Sequence, residues 1–282
     1  MKNSTPQATL FVSTYNLPRH LQLVCEGILK QSHDDFETII CDDGSDEKTR
    51  KIISSFKERA SFPVLHLWQK NEGFRKCKIL NEGLRAAKGE IFIFLDGDCI
   101  PHKHYIKDHV QNQEDGFYLA GRRMELGEKF SRTLESKMIQ NGCFDYPHFS
   151  LIRSVLQKDS EHLQRSIRIS SKIIRKLLGM NRIIDMKGCN YSVQKKYLLE
   201  INGFDEEYEG YGREDTDVEL RLQNLGLKIK SMKGLALQFH VWHPRREFTP
   251  QNDARLEELK ITGRTLCVHG VKKATLNTEV KI

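Results

Sequence analysis

Over the first hundred residues, apolar and polar positions switch between two periods. Short apolar runs at 8–13, 36–41, 64–68 and 90–95 read as strands. Between them, segments 18–30, 45–56 and 76–87 carry helical spacing. In the first of these, Leu21, Val24, Cys25, Ile28 and Leu29 share one face. Strand–helix alternation with short loops predicts a parallel sheet of right-handed βαβ units. Beyond Pro101 the pattern loosens. Residues 117–120 read as a further strand and 125–184 as a helical insert. Order returns at 185–250, with an apolar strand at 235–238, and residues 253–268 read as an amphipathic helix lying back on the domain. The predicted class is α/β: a mixed, mostly parallel sheet flanked by helices, divided as 1–124, 125–184, 185–250 and 251–282.

Ligands of such sheets gather at the carboxyl ends of the strands. Three polar clusters fall there: Ser13-Thr14-Tyr15-Asn16, Asp42-Asp43-Gly44-Ser45 and Asp96-Gly97-Asp98. Residues i and i+2 of an extended segment point the same way, so Asp96 and Asp98 can face one spot. Carboxylates closing a buried strand are costly unless something positive sits on them. A hard cation, Mn2+ or Mg2+, takes oxygen ligands of this kind and shares them with phosphates. Capping by Ser45 or Asp46 accounts for part of the second cluster, but not for two adjacent acids.

A fourth cluster, Gly210-Tyr211-Gly212-Arg213-Glu214-Asp215-Thr216-Asp217, leads into a helix at 218–225. Two glycines permit a tight loop against a ligand, and a carboxylate aimed into a cleft is the form a general base takes. Three acids exceed what a helix start needs. His240 ends an apolar strand and is a candidate metal ligand. His243 either supports it or binds phosphate. Arg75, Lys76 and Lys78 stand at the start of a helix, where cations oppose the macrodipole, so a diphosphate partner is the better account of them.

Composition narrows the classes. The 282 residues are 38% hydrophobic and 29% charged, as in an ordinary globular protein, and no apolar run is long enough to span a bilayer. The first ten residues lack a signal-peptide pattern. Seven cysteines without CxxC pairs predict reduced, mostly buried thiols and a cytoplasmic setting. The net charge of +7 suits an anionic partner. Part of it lies in 162–184, where Arg165, Arg168, Lys172, Arg175, Lys176 and Arg182 occur without an acid. That run reads as a surface helix with a cationic and an aliphatic face, suited to an anionic membrane. It has no interleaved aromatics, which argues against nucleic acid as the partner. A nucleotidyltransferase, the rival enzymatic reading, would carry a Gly-rich loop after the first strand, where Ser13-Thr14-Tyr15-Asn16 stands instead.

The four clusters, in this order, resemble those of the family-two glycosyltransferases of GT-A fold. The stretch from Gly188-Cys189-Asn190 through Gly203-Phe204-Asp205-Glu206 to Arg221-Leu222 is similar to the carboxyl half of galactosyltransferase-type enzymes. The resemblance implies a nucleotide-sugar-binding half at 1–124 and an acceptor-binding half at 185–250. It implies that Asp43 contacts uracil with Ser13 and Tyr15 beside it, and that Asp98 and His240 bind the metal with Asp96 in support. It further implies Asp215 as general base and Glu214 as holder of an acceptor hydroxyl. The implied activity is inverting transfer of a hexosyl unit from a UDP-sugar to a saccharide or lipid-linked saccharide, as in bacterial surface polysaccharide or lipopolysaccharide assembly. Lys76 or Lys78, with the metal, would offset charge on the departing diphosphate. Tyr211 replaces the usual tryptophan and Arg213 the usual glycine of that loop.

Overall fold

The computed structural model describes residues 5–183 and 185–272. Its strands are β1 Ala8–Thr14, β2 Phe36–Asp42, β3 Val64–Trp68, β4 Ile91–Asp96, β5 Cys99–Pro101, β6 Phe117–Ala120, β7 Met124–Glu125, β8 Tyr191–Gln194, β9 Lys228–Ser231 and β10 Gln238–His240. The helices are α1 Pro18–Leu29, α2 Glu47–Arg59, α3 Lys76–Ala86, α4 Tyr105–Asn112, α5 Glu128–Thr133, α6 Ser136–Gln140, α7 Phe149–Leu156, α8 Lys172–Leu177, α9 Lys195–Glu200, α10 Glu214–Asn224 and α11 Gln251–Thr262. Seven strands form one sheet in the order β3-β2-β1-β4-β8-β6-β9, and β5-β10-β7 form a small second sheet. The pairings among β3, β2, β1 and β4, and between β6 and β9, are parallel; β8 runs antiparallel to both of its neighbours.

The period-two alternation sends side chains to two cores. Leu10 and Val12 of β1, with Ile93 and Leu95 of β4, join Leu21, Val24 and Ile28 of α1. On the other face, Phe11, Phe92 and Phe94 join Leu80 and Leu84 of α3 and Val218 and Leu222 of α10. The Phe94 ring stacks between Phe11, at 4.9 Å, and Tyr191, at 4.4 Å. Both faces are covered, as a parallel sheet requires. The chain runs from β1 outward to β2 and β3, then returns through α3 to β4 on the other side of β1. This reversal opens a crevice at the carboxyl ends of β1 and β4.

The predicted strand and helix positions in the first hundred residues hold to within a few residues, and Asp46 is the N-cap of α2, accepting from Thr49 N–H at 2.9 Å. All seven cysteines are free thiols and six are buried. Two expectations need correction. Segment 162–184 is not one amphipathic helix. A 3-10 turn at Leu163–Ser166 gives way to an extended stretch and then to the single turn and a half of α8. The stretch is held out of helix from two sides: Ile169 N–H donates to Gly234 O at 2.8 Å, and the Arg168 guanidinium clasps the buried carboxylate of Asp108. Arg175 points inward, donating to Ser231 O at 2.7 Å and Lys233 O at 3.0 Å. Half of the six basic residues therefore serve the fold, with Arg165 donating to Arg123 O at 3.0 Å. The terminal helix also spans less than expected: α11 stops at Thr262, where Gly263 takes the left-handed conformation that ends a helix.

Candidate active site

Ser13 and Asp96 are direct neighbours across the β1–β4 pairing, at the crevice. The Ser13 hydroxyl donates to Asp96 Oδ1 at 2.7 Å and Lys76 Nζ donates to the same oxygen at 3.0 Å. The sharp turn between the two acids depends on Gly97, where a Cβ would come within 2.9 Å of Thr14 Oγ1 and 3.1 Å of Ser13 O. Lys76 also lies 3.7 Å from Glu214 Oε1, so it links the two halves of the cleft. Burial opposes its charge, but Asp96 and Glu214 more than compensate and raise its pKa well above the ordinary value.

Asp42 and Asp43 divide their work. Asp42 is fully buried; it accepts from Ser45 N–H at 2.8 Å and meets His66 Nε2 at 3.0 Å, so it shapes the turn. Asp43 faces the cavity and accepts from Arg75 N–H at 2.7 Å and Gln69 Nε2 at 2.5 Å, with burial raising its carboxyl pKa.

Beyond Gly97 the second acid meets different company. Asp98 Oδ2 is 3.1 Å from His243 Nε2, Asp98 Oδ1 is 3.8 Å from His240 Nε2, and the two imidazole nitrogens are 3.3 Å apart. Backbone pairing sets this geometry: His240 pairs with Cys99 across β5 and β10, and Val241 N–H donates to Asp98 O at 2.8 Å. His240 Nδ1 is 2.7 Å from Glu125 Oε2 and His243 Nδ1 is 2.8 Å from Pro244 O. A carboxylate and a carbonyl can only accept, so both Nδ1 atoms carry hydrogen in these contacts. By the same rule His243 Nε2, 3.1 Å from Asp98 Oδ2, carries a hydrogen as well, one that a bound cation would displace. Burial pushes the Asp98 carboxyl up, yet His243, His240 and the Cys99 thiol hold it well below the usual carboxylate range. The same pairing with Asp98 raises His243. Burial also works against Glu125, while His240 and Arg123 hold it at about 2. Two imidazole nitrogens and a carboxylate oxygen, all within 4.8 Å of one another, fit a divalent cation.

These groups line one cavity of about 800 Å3, within the size range of small-ligand sites. Ser13, Tyr15, Asp43, Lys76, Asp96, Asp98, Tyr211, Glu214 and His240 all reach its wall. Arg75, Lys78 and Asp215 do not line it. The Arg75 guanidinium is turned away onto Lys70 O, at 2.6 Å, and Glu72. Asp215 sits half-buried next to Glu214 on α10, accepting from Gly188 N–H at 2.9 Å and Thr216 N–H at 2.8 Å. Glu214 is buried at the wall, and that burial raises its carboxyl pKa against the pull of Lys76. The third acid, Asp217, is structural: it pairs with the fully buried Arg221, whose guanidinium also donates to Ile201 O and Gly203 O at 2.7 and 2.8 Å. Arg213 takes a left-handed backbone and supplies an acid contact to Asp253 of α11 at 2.7 Å, so it ties the loop down.

The wall includes groups not anticipated from the sequence: Arg123, Glu125, Trp242, Arg245 and Arg246. His243, left open between two roles, stands with Asp98 and His240 in the candidate cation site. Its three-residue spacing from His240 was the available signal. Glu125 had none, because a two-residue strand leaves no period to detect.

The family model for glycosyl transferase family 2 matches residues 9–177, more than half of the chain. The chain belongs to glycosyl transferase family 2. A second model, described as the N-terminal domain of galactosyltransferase, matches residues 168–244. Among similar family members, chondroitin synthase of Escherichia coli is 26% identical over 85% of this chain and 35% of its own length. Hyaluronan synthase of Pasteurella multocida is 25% identical over 87% of this chain and 26% of its own length. The chain thus spans about a third or less of these two synthases. The uncharacterized glycosyltransferase YfnE of Bacillus subtilis is 26% identical over 84% of this chain and 65% of its own length. Solved glycosyltransferases share the GT-A fold. Staphylococcus aureus TarS in complex with UDP-GlcNAc superposes with a TM-score of 0.61 at 17% identity, over 91% of this chain and 66% of that one. The Pyrobaculum calidifontis mannosyltransferase PcManGT, in complex with GDP-Man and Mn2+, gives 0.57 at 14% identity, over 86% and 59%.

Proposed function

We propose that this family 2 glycosyltransferase moves a hexosyl unit, with inversion, from a UDP-sugar to a hydroxyl of a saccharide or lipid-linked saccharide, in assembly of a bacterial surface polysaccharide or lipopolysaccharide. The observation that carries the reading is the convergence of Asp43, Asp96, Asp98, Glu214, His240 and His243 on one cavity from strand ends and a helix start far apart in sequence. Asp43 and the residues after β1 face the nucleoside. Asp98, His240 and His243 are the residues to hold Mn2+ or Mg2+, which when bound supplies Lewis-acid stabilisation of the departing diphosphate. Lys76 adds a fixed positive charge at the same place, and Arg245 and Arg246 line the adjoining wall. Glu214 holds the acceptor. Asp215, beside Glu214 on α10, accepts the proton of the attacking hydroxyl; its Oδ2 takes only Gly188 N–H and retains a lone pair, while Oδ1 takes both the N–H and the hydroxyl of Thr216.

The test is a transfer assay with a panel of UDP- and GDP-sugars, repeated on two variants. Asp215→Asn is expected to lower kcat roughly 100- to 10,000-fold with UDP affinity preserved, while Glu214→Gln mainly raises the acceptor KM. The opposite pattern would move the base role to Glu214. Absence of transfer or hydrolysis with every UDP-sugar would overturn the donor assignment.

The insert supports a peripheral position at the inner face of a membrane. Among the described residues no helix is long and apolar enough to cross a bilayer. Ile173, Leu177 and Leu178 are nevertheless exposed, beside Lys172 and Lys176, and Tyr146, Phe149 and Leu156 are exposed around α7. An aliphatic patch with cations and no acid between His162 and Arg182 suits an anionic bilayer. Wild type is expected to float with anionic vesicles, and Lys172→Glu/Lys176→Glu to remain at the bottom of the gradient. If wild type does not float, the membrane contact is refuted.

A further inference from the structure

The short strand β7 brings an unforeseen acid behind one of the candidate metal ligands. Glu125 Oε2 lies 2.7 Å from His240 Nδ1, and Arg123 Nε donates to Glu125 Oε1 at 2.7 Å. Both of its oxygens are thus engaged, one by the imidazole and one by a guanidinium. Backbone contacts hold the same partners together: β7 pairs in parallel with β10, placing Glu125 opposite His240, and Leu126 N–H donates to His240 O at 3.0 Å. The insert braces β7 from its other side. Glu161 N–H donates to Glu125 O at 2.8 Å, and the Arg165 guanidinium donates to Arg123 O at 3.0 Å.

We propose that Glu125, braced by Arg123 and the insert, is a positioning residue that fixes His240 in the Nδ1–H tautomer and aims its Nε2 at the point shared with Asp98 and His243. The inference rests on the cation reading given above. A carboxylate behind a ligating imidazole fixes ring orientation and raises ligand basicity, and losing it typically costs 10- to 100-fold in metal affinity. His243 is steadied differently, by the carbonyl of Pro244 at 2.8 Å, so the two imidazoles have independent supports. The insert acquires a role in this arrangement: a segment far in sequence from Asp98 and His240 keeps the metal ligand's support in place. The competing account is that Glu125, which also lines the cavity, contacts a sugar hydroxyl and has no bearing on the cation.

Calorimetric titration of the full chain with Mn2+ alone, without donor or acceptor, separates the two. Long-range 1H–15N spectra of the histidine rings report the tautomer in the same samples. Glu125→Ala is expected to weaken Mn2+ binding roughly 10- to 100-fold and to erase the fixed tautomer of His240. Glu125→Gln, whose amide oxygen still accepts from Nδ1–H, is expected to keep the tautomer and lose several-fold in affinity; it serves as the test if the alanine variant does not fold. Mn2+ affinity unchanged in both variants, with His240 still in the Nδ1–H form, would overturn the positioning role and leave the cation site standing. A wild type that does not bind Mn2+ would overturn both.

Discussion

On the β1–β2 side of the cavity, Asp43 and Asp96 already have protein donors. Gln69 and a backbone N–H hold Asp43, while Ser13 and Lys76 share one oxygen of Asp96. On the other side, Asp98 faces two imidazoles, and among the described residues these are its only ion-pair neighbours. The acids of the first side are preorganised to orient something neutral or to receive N–H and O–H groups. The second side gathers a carboxylate and two imidazoles, with no Lys or Arg within ion-pair distance of Asp98 among the described residues, so a cation can take over from the imidazole hydrogen in neutralising it. Two acids separated by one glycine thus meet different partners, Ser13 and Lys76 for one and two imidazoles for the other, and the difference lies in what each strand delivers.

The strongest way to break this contrast is Asp98→Ala. Metal-dependent UDP binding is expected to vanish and turnover to fall by orders of magnitude, because several kcal/mol of charge stabilisation leave with the cation. Unchanged metal dependence would show that Asp98 is no ligand. Asp43→Asn tests the preorganised side and should be milder. UDP affinity is expected to fall about tenfold, the scale of about 1–1.5 kcal/mol for one hydrogen bond in a positioned network, with turnover at saturating donor largely kept. A loss as large as that of Asp98→Ala would mean that both sides serve the cation. No change in UDP affinity would remove Asp43 from base recognition.

The sequence made the first half of the fold legible because its strands and helices keep clean periods. It also marked the strand-end acids, because ligands of a parallel sheet collect there. It did not divide those acids by role. Asp42 looked as available as Asp43, but is spent on Ser45 N–H and His66. Asp217 looked as available as Glu214, but its partner is one helical turn further along, at Arg221. Such assignments depend on which side chains the tertiary fold brings near, and local spacing carries little of that. The insert misled for the same reason. Its helical spacing is real, but Asp108, Gly234 and the carbonyls of Ser231 and Lys233 outbid helix formation for its backbone and arginines. Glu125 shows the limit most plainly: two residues of strand and one carboxylate had to be placed beside His240 before their relation could be read.

The most direct examination of the central claim is anomalous diffraction at the manganese edge from crystals of the full chain grown with Mn2+ and UDP. The arrangement predicts one strong peak in direct ligation of Asp98, His240 Nε2 and His243 Nε2, with the UDP diphosphate alongside and the uracil toward Asp43. UDP bound in this cavity with no manganese peak among those three side chains, or a peak that leaves both imidazoles unligated, would contradict it.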